Sequence, residues 1–428
     1  MVVPKAGSVL SVATGKPSDS RPQAVTLKID PSAQDRVISL GSRLAAIPER
    51  LLLAHARGEV LFICGAGISR PVGLPDFRDL VVDVYGVLDA SVHHILSDLP
   101  RGTCNQWEVD VSTLNDAQRA EVKRFTAGDY DVVLGMLERR LDDRTRGDSR
   151  VRKAVAERLR DGGNKPAQIH HALMRLADRG GASTIVTTNF DLLLERAGKR
   201  RSSSLQTYSL GSIPRPSRQA DFAGVLHIHG ALDPNPTRVS ELVLSDQDFG
   251  EFYLRRRVVP DFIYDAARLF HLVLVGYSAS DPPMRYLLNA VAADGTRFDD
   301  LKERFTFFGT NAPDPVALED WKGRGITPIR YDSGGDHSAL RATLERWAEL
   351  SAINGRRDRV DAEMRRIVKA PRHSAADEDR DLFDHFIRRS NTSERVRLSA
   401  LASDAKADLG WLDAIVEISA EKERERRS

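Results

Sequence analysis

Five short segments of this chain carry side chains suited to hold a ligand or move a proton. Gly65-Ala66-Gly67 follows the apolar run Val60–Ile63 at once. Two glycines there let the backbone turn sharply and approach a ligand, because no side chain intervenes. A helix start after such a loop offers free N–H groups and a positive dipole end, which suit a pyrophosphate. An ordinary tight strand-to-helix turn is the alternative reading. Arg70 stands where a full G-x-G-x-x-G fingerprint has its third glycine. Ser69 has a hydroxyl to donate, or it caps a helix. Asn189 follows the apolar stretch 184–188, at the carboxyl end of a strand, where open α/β sheets place ligands. Its amide both donates and accepts, so it can hold a hydroxyl and a water together. Asp191, two residues on, orders Asn189 or caps a helix. His229 ends the next strand, and an imidazole titrates near neutrality, so it can take a proton from a hydroxyl or from water. Gly230 leaves room beside it. His227 shares its face by strand alternation and is the rival candidate. Asp281 accepts from a sugar hydroxyl or caps a helix that opens with Pro282-Pro283.

These residues need elements to position them. The apolar runs at 60–63, 184–188, 225–229, 271–276, 305–309 and 326–331 read as strands. Helices are expected at 167–179, 191–197, 246–270 with a disturbance near Pro260, 282–293 and 337–350. Strands alternating with helices predict an α/β fold, a Rossmann-like parallel sheet with helices on both faces. Residues 36–57 read as two short helices broken at Pro48. Residues 79–90, 115–141 (with a break near Gly128) and 150–160 also read as helices; 91–111 reads as irregular and 144–148 as a charged loop. Residues 200–220 read as loop with one short strand, 231–238 as a Pro/Asn loop and 242–244 as a strand. From about 351 both charges become dense, and apolar stripes such as Leu382, Phe383, Phe386 and Ile387 predict three or four short helices with a packing or assembly role. Residues 1–35 read as a flexible arm, with a short ordered piece at 24–29.

Bulk composition removes several classes of function. Lys plus Arg exceeds Asp plus Glu by only 2, which gives no case for nucleic acid or a membrane surface as the main partner. No stretch approaches the apolar length of a membrane span, and no signal peptide is visible. Two cysteines, Cys64 and Cys104, cannot build a disulfide framework or a four-thiolate zinc site. The adjacent pairs His93-His94 and His170-His171 point apart and read as surface or core residues. A cytoplasmic location is the simplest expectation.

Taken together, the segments resemble a known family. GAGIS followed by GLPDFR is similar to the sirtuin signature, a glycine-rich NAD loop and then a G-[IL]-P-D-F-R loop. TTNFD (Thr187–Asp191), HIHG (His227–Gly230) and LVGYSASD (Leu274–Asp281) follow in the same order as that family's strand-end Asn and Asp, its catalytic His-Gly and its late G-x-S loop. The resemblance covers about Leu53 to Leu344. It implies NAD+ as substrate. Gly65, Ala66, Gly67 and Ser69 would lie at the pyrophosphate. Asp76, Phe77 and Arg78 would form a mobile loop, with Phe77 lining the nicotinamide pocket and Arg78 contacting phosphate or orienting the loop. Thr188 and Asp191 would be cofactor-binding, Asp191 by ordering Asn189 or the nicotinamide amide, and Gly276, Ser278 and Asp281 would flank the adenosine. Asn189 and His229 would be the catalytic pair.

Family members that deacylate lysine carry a zinc held by two C-x-x-C pairs. This chain has neither pair, so no metal is expected, and a helical insert at about 79–165 stands in place of the zinc ribbon. The expected domains are the arm 1–35, a sirtuin-like catalytic domain 36–350 and a helical module 351–428. The chain resembles zinc-free sirtuin-like NADases of bacterial antiphage defence. That implies an NAD+ glycohydrolase acting in abortive infection, as a homo-oligomer or with a HerA-type ATPase or another phage-sensing partner. A zinc-independent deacylase or ADP-ribosyltransferase, and a non-catalytic NAD or ADP-ribose sensor, are the alternatives.

Overall fold

The computed structural model describes residues 36–101, 110–142, 149–160, 165–180, 182–198, 205–216, 222–232, 241–277, 282–295 and 300–425. The expectations for 1–35, 144–148 and most of 231–238, and those for Cys104, Ser278 and Asp281, concern residues outside this set.

Nine strands are found among the described residues. A hairpin of β1 (Val37–Ser39) and β2 (Ala46–Pro48) precedes a seven-stranded parallel sheet made of β3 (Val60–Cys64), β4 (Thr184–Thr187), β5 (Thr207–Ser209), β6 (Gly224–His227), β7 (His271–Val275), β8 (Arg304–Thr310) and β9 (Ile326–Asp332). Its spatial order is β5-β6-β4-β3-β7-β8-β9. Apart from the short edge strand β5, this is the 3-2-1-4-5-6 winding of a dinucleotide-binding sheet. The order reverses between β3 and β7, so the crevice outside their carboxyl ends is the topological switch point.

The central strands β3, β4, β6 and β7 are buried on both sides almost throughout, which is why they read as continuous apolar runs. Phe62, Cys64, Ile185, Val225, Val273, Phe305 and Ile329 feed one apolar cluster, while Leu61, Ile63, Val186, Leu226, Leu272 and Leu274 feed the other. The first is covered by the helices Glu49–Ala56, Gln168–Leu176 and Gly334–Leu350, and continues into the C-terminal helices through Leu382, Phe383, Phe386 and Trp411. The second is covered by the helices Val258–Leu269 and Pro282–Gly295. Trp411 is fully buried; its indole N–H donates to the Ala370 carbonyl at 2.8 Å and its ring lies 4.6 Å from Phe383. Glu49 accepts from Arg388 Nε at 2.7 Å and contacts His385 Nδ1 at 3.2 Å, so an ion pair also joins the C-terminal helices to the sheet domain.

Between Phe77 and Arg160 the described chain is helical: Phe77–Leu88, Ala90–Asp98, Asp116–Thr126, Tyr130–Asp142 and Arg150–Arg160. These helices form a third apolar cluster that also takes in Phe190, Leu232, Leu242 and Leu244. Arg140 crosses the group, pairing with Glu121 at 2.8 Å and Asp89 at 2.7 Å, and Tyr85 Oη donates to Glu121 at 2.9 Å.

Three local expectations need correction. Residues 37–48 are a hairpin, not a helix. Ile38 and Leu40 alternate at strand period, and Ile38 pairs across the hairpin with Ile47, both fully buried. Within the stretch expected to be irregular, Ala90–Asp98 is a helix. Asp89 caps it by accepting from Val92 N at 3.2 Å, and Val92 and Leu96 form its buried side at spacing i, i+4. Leu242–Leu244 does not join the sheet; the backbone bond from Val243 N to the His229 carbonyl, at 2.8 Å, ties it to the loop after β6. The helix Pro315–Gly323, which was not anticipated, is capped by Asp314 and opens with proline. Among the described residues no helix is long and apolar enough to cross a membrane.

Candidate active site

The loops after β3 and β7 close on each other through backbone alone. Gly65 N donates to Val275 O at 2.9 Å and Gly67 N to Gly276 O at 2.9 Å. A Cβ on Gly65 would lie 2.6 Å from Gly276 O, and one on Gly67 would lie 2.8 Å from Gly276 Cα. The glycines are therefore required by a backbone-to-backbone contact within the chain at the switch point. The expected helix start is instead two short 3₁₀ turns, Ala66–Ile68 and Arg70–Val72. The amides of Ile68 and Ser69 are spent on the carbonyls of Gly65 and Ala66.

Ser69 is the hub of the site. It is 2% exposed, and its hydroxyl has one proton to give and two lone pairs to share. The proton goes to Asp191 Oδ2 at 3.0 Å. Asn189 Nδ2 donates to Ser69 Oγ at 3.2 Å. His170 Nε2 lies 3.4 Å from the same oxygen. The amide N–H of Ala167 donates to His170 Nδ1 at 3.0 Å, which puts the ring proton on Nε2, facing Ser69. Burial pushes the His170 imidazole down to about 4, so it is a neutral donor at pH 7. The hydroxyl is thus fully used inside the protein, its proton going to Asp191. Burial also raises the Asp191 carboxyl, against the opposing hydrogen bonds from Leu193 N and Ser69.

Asn189 sits just beyond β4 and is 8% exposed. Its own N–H donates to Thr187 Oγ1 at 3.0 Å, and its carbonyl is 2.7 Å from His227 Nδ1. Thr188 N donates to the Cys64 carbonyl at 3.0 Å and so ties the end of β4 to the end of β3. His229 lies two residues past β6 and is 7% exposed. Its Nε2 is 2.7 Å from Tyr253 Oη, and the Phe249 ring stands edge-on at 5.5 Å. Gly230 has φ of 100°, and a Cβ there would lie 2.8 Å from Glu241 O, so only glycine fits this turn.

Tyr253 belongs to a π-helical turn, Gly250–Arg255, that follows the helix Asp246–Phe249. Such turns recur at functional sites because the extra residue re-aims a side chain. The start of this segment is anchored to the helical insert. Asp248 Oδ2 meets Arg152 Nη2 at 2.7 Å, both side chains being 1% exposed, and also accepts from Ser245 N at 3.0 Å. Arg152 Nη1 donates to the Leu242 carbonyl at 2.6 Å.

The remaining expected residues face elsewhere or lie outside the described set. Asp76 caps the helix Phe77–Leu88, accepting from Asp79 N at 2.9 Å, and binds Arg70 at 2.7 Å and Arg101 at 3.0 Å. Phe77 meets Tyr130 edge-on at 6.5 Å. Arg78 donates to the Leu99 carbonyl at 2.7 Å and lies over the Phe125 ring at 5.2 Å. All three side chains contact the helical insert, and Phe77 and Arg78, expected on a mobile loop, form the first turn of the helix Phe77–Leu88 because Asp76 caps it. Sequence reasoning missed His170, Glu195 and Tyr253. A signal existed for His170: it lies on the buried stripe of its helix with Leu173 and Ala177, where a polar residue is unusual.

Residues 183–329 match the family model for a SIR2-like domain. That segment runs from β4 into β9 and holds Asn189, Asp191, His227, His229 and Gly276; the Gly65–Arg78 region precedes it. The match marks that segment as similar to a SIR2-like domain. The chain is also 34% identical over 364 residues to the uncharacterized protein y4cA of Sinorhizobium fredii, an alignment covering 80% of this chain and 28% of that protein. It therefore spans little more than a quarter of that relative's length. Among solved structures, one described under the structural basis for the mechanism and regulation of Sir2 enzymes aligns at 17% identity and a TM-score of 0.35, covering 71% of this chain and 97% of that one. A Sir2 homolog–NAD complex aligns at 16% identity and a TM-score of 0.35, covering 73% and 98%.

Proposed function

We propose that this chain hydrolyses NAD+ at the nicotinamide–ribose bond, giving nicotinamide and ADP-ribose. The observation that carries the reading is the placement of Asn189 and His229 just past the adjacent strands β4 and β6, with Ser69 from the β3 loop bonded to Asn189. An amide and an imidazole on neighbouring strand ends suit a reaction in which water must be held and relieved of a proton. As the C1′–N bond breaks, positive charge spreads over the ribose, and fixed dipoles around it favour the change. The water oxygen then bonds to C1′, nicotinamide leaves with the bonding pair, and the water proton passes to His229 and on to solvent. Asn189 orients the water or a ribose hydroxyl.

Water is preferred over an acyl-lysine as nucleophile for two reasons. The chain has two cysteines and no C-x-x-C pair, and a helical layer occupies the stretch from Phe77 to Arg160. Uncontrolled hydrolysis would exhaust a cell's NAD+, so the reading includes a trigger: self-assembly, or a HerA-type ATPase, in an antiphage abortive-infection response. Product analysis decides the chemistry. Purified protein, with NAD+ and an acetylated peptide together, should yield nicotinamide and free ADP-ribose with the peptide unchanged. Deacetylated peptide with acetyl-ADP-ribose would overturn hydrolysis. Turnover that rises with oligomer mass or with an added ATPase partner would support the trigger; a fully active monomer would refute it.

A further inference from the structure

His227 is fully buried at the end of β6, and both of its ring nitrogens face acceptors. Nδ1 is 2.7 Å from the Asn189 carbonyl oxygen, and Nε2 is 2.8 Å from Glu195 Oε1. A backbone carbonyl has no proton to give, and an ionised carboxylate has none either. A neutral imidazole carries one N–H, so it would satisfy one contact and turn a lone pair on the other. Two protons on the ring satisfy both. Thr207 Oγ1 also donates to Glu195 Oε1, at 3.0 Å. The charged groups around the ring are Glu195, from the helix Leu193–Gly198, and Asp191, from the loop after β4. Burial opposes charge on His227, but the Glu195 carboxylate and the Asn189 carbonyl outweigh it and hold the imidazole above its ordinary value.

The ring acts on a residue of the candidate site. Asn189 is gripped on its N–H by Thr187 Oγ1 and on its C=O by His227. Fixing both peptide groups leaves the Asn189 side chain few orientations, and one of them bonds Ser69 Oγ at 3.2 Å. We propose that His227 and Glu195 form a buried imidazolium–carboxylate pair that positions the Asn189 amide for catalysis. The catalytic part of this statement rests on the NAD+-hydrolase reading; the pair itself does not. His227 and Glu195 are positioning residues. The pair also makes the site pH-sensitive, since loss of the His227 proton turns a lone pair on Glu195.

Two variants separate geometry from charge. In Glu195→Gln the side-chain amide can donate to Nε2 of a neutral His227, whose Nδ1–H stays on the Asn189 carbonyl. The hydrogen bonds of His227 survive, with the Thr207 hydroxyl turning to accept from the same amide nitrogen, and the charge does not. E195Q should keep kcat within about threefold at pH 7 and lack the alkaline fall in activity expected of the wild type. Glu195→Ala removes the support, and kcat should fall about 10–100-fold with KM nearly unchanged. NMR of the full chain gives the readout independent of activity. The wild-type His227 ring should carry protons on both nitrogens at pH 7, and the ring in E195Q on one. The Asn189 side-chain amide signals, assigned with Asn189→Ala, should move in E195A. A singly protonated wild-type ring, or unmoved Asn189 signals in E195A, would overturn the proposal. Both signatures present in a protein that releases no nicotinamide in any state would sink the hydrolase reading and leave the pair standing.

Discussion

Replacing Gly67 by alanine should pry the switch point open. The added Cβ would lie 2.8 Å from Gly276 Cα, 2.8 Å from Gly276 O and 3.1 Å from Gly276 C, all backbone atoms that cannot rotate away. Carbon atoms in contact sit at about 3.5–4.0 Å, so the loops after β3 and β7 must separate by roughly 0.7 Å. The Gly67 N to Gly276 O bond, 2.9 Å long, crosses the same gap and would stretch past its useful range. Overpacking costs about 1–3 kcal/mol and the lost bond about 1 more. We expect Gly67→Ala to lose about 2–4 kcal/mol in urea unfolding and more than tenfold of NAD+ turnover. Gly211→Ala is the control, because a Cβ there meets nothing within 4 Å. It should change stability by less than about 0.5 kcal/mol. If the two variants behave alike, the glycines are not there for loop contact and the reasoning fails.

The other expectations are tested by unfolding and stability against pH. Arg152→Met leaves the Asp248 carboxylate buried without its cation and should cost about 3–5 kcal/mol, while adding Asp248→Asn should recover part of that loss. His55, His170 and His385 are buried and each pushed down to about 4, mainly by burial. The unfolded chain, with ordinary histidines near 6.5, binds more protons in that window. Stability should therefore fall as pH drops from 6.5 toward 4, by about 1.4 kcal/mol per unit for each histidine; a flat profile in urea titrations would contradict the burial argument. Trp411→Ala should cost about 3–5 kcal/mol and shift one shared transition, because Trp411 lies in the apolar cluster that also holds Phe62. A separate early transition would mean that the C-terminal helices fold as an independent module.

Much of the sheet could be read because its central strands are buried on both faces and bounded by turn residues. Val60–Cys64 and His271–Val275 stand out as unbroken apolar runs, and their pairing side by side follows from the parallel winding. The hairpin 37–48 could not be read in the same way. It is three residues per strand, and Ile38, Leu40 and Leu44 satisfy helical and strand spacing about equally. At the site, Asn189, Asp191 and Ser69 were named in advance because each lies at a strand end or a glycine turn. Their partners were hidden by chain separation: His170 meets Ser69 across 101 residues, Glu195 meets His227 across 32, and Arg152 meets Asp248 across 96. Local pattern carries no record of such contacts. The two glycines of the β3 loop show the same limit from the other side. Their spacing invites a ligand reading, and the protein contact they also serve involves Gly276, just past a strand that arrives much later in the chain.

The central claim is that Asn189 and His229 form one catalytic site for NAD+ cleavage. Nicotinamide release from NAD+ by the wild type, Asn189→Ala and His229→Ala, measured with and without a candidate activating partner, tests it most directly. The account predicts release by the wild type and a loss of about 10²–10⁴-fold in each variant, with folding intact by thermal melting. Release that persists in both variants would place the chemistry elsewhere and contradict the account.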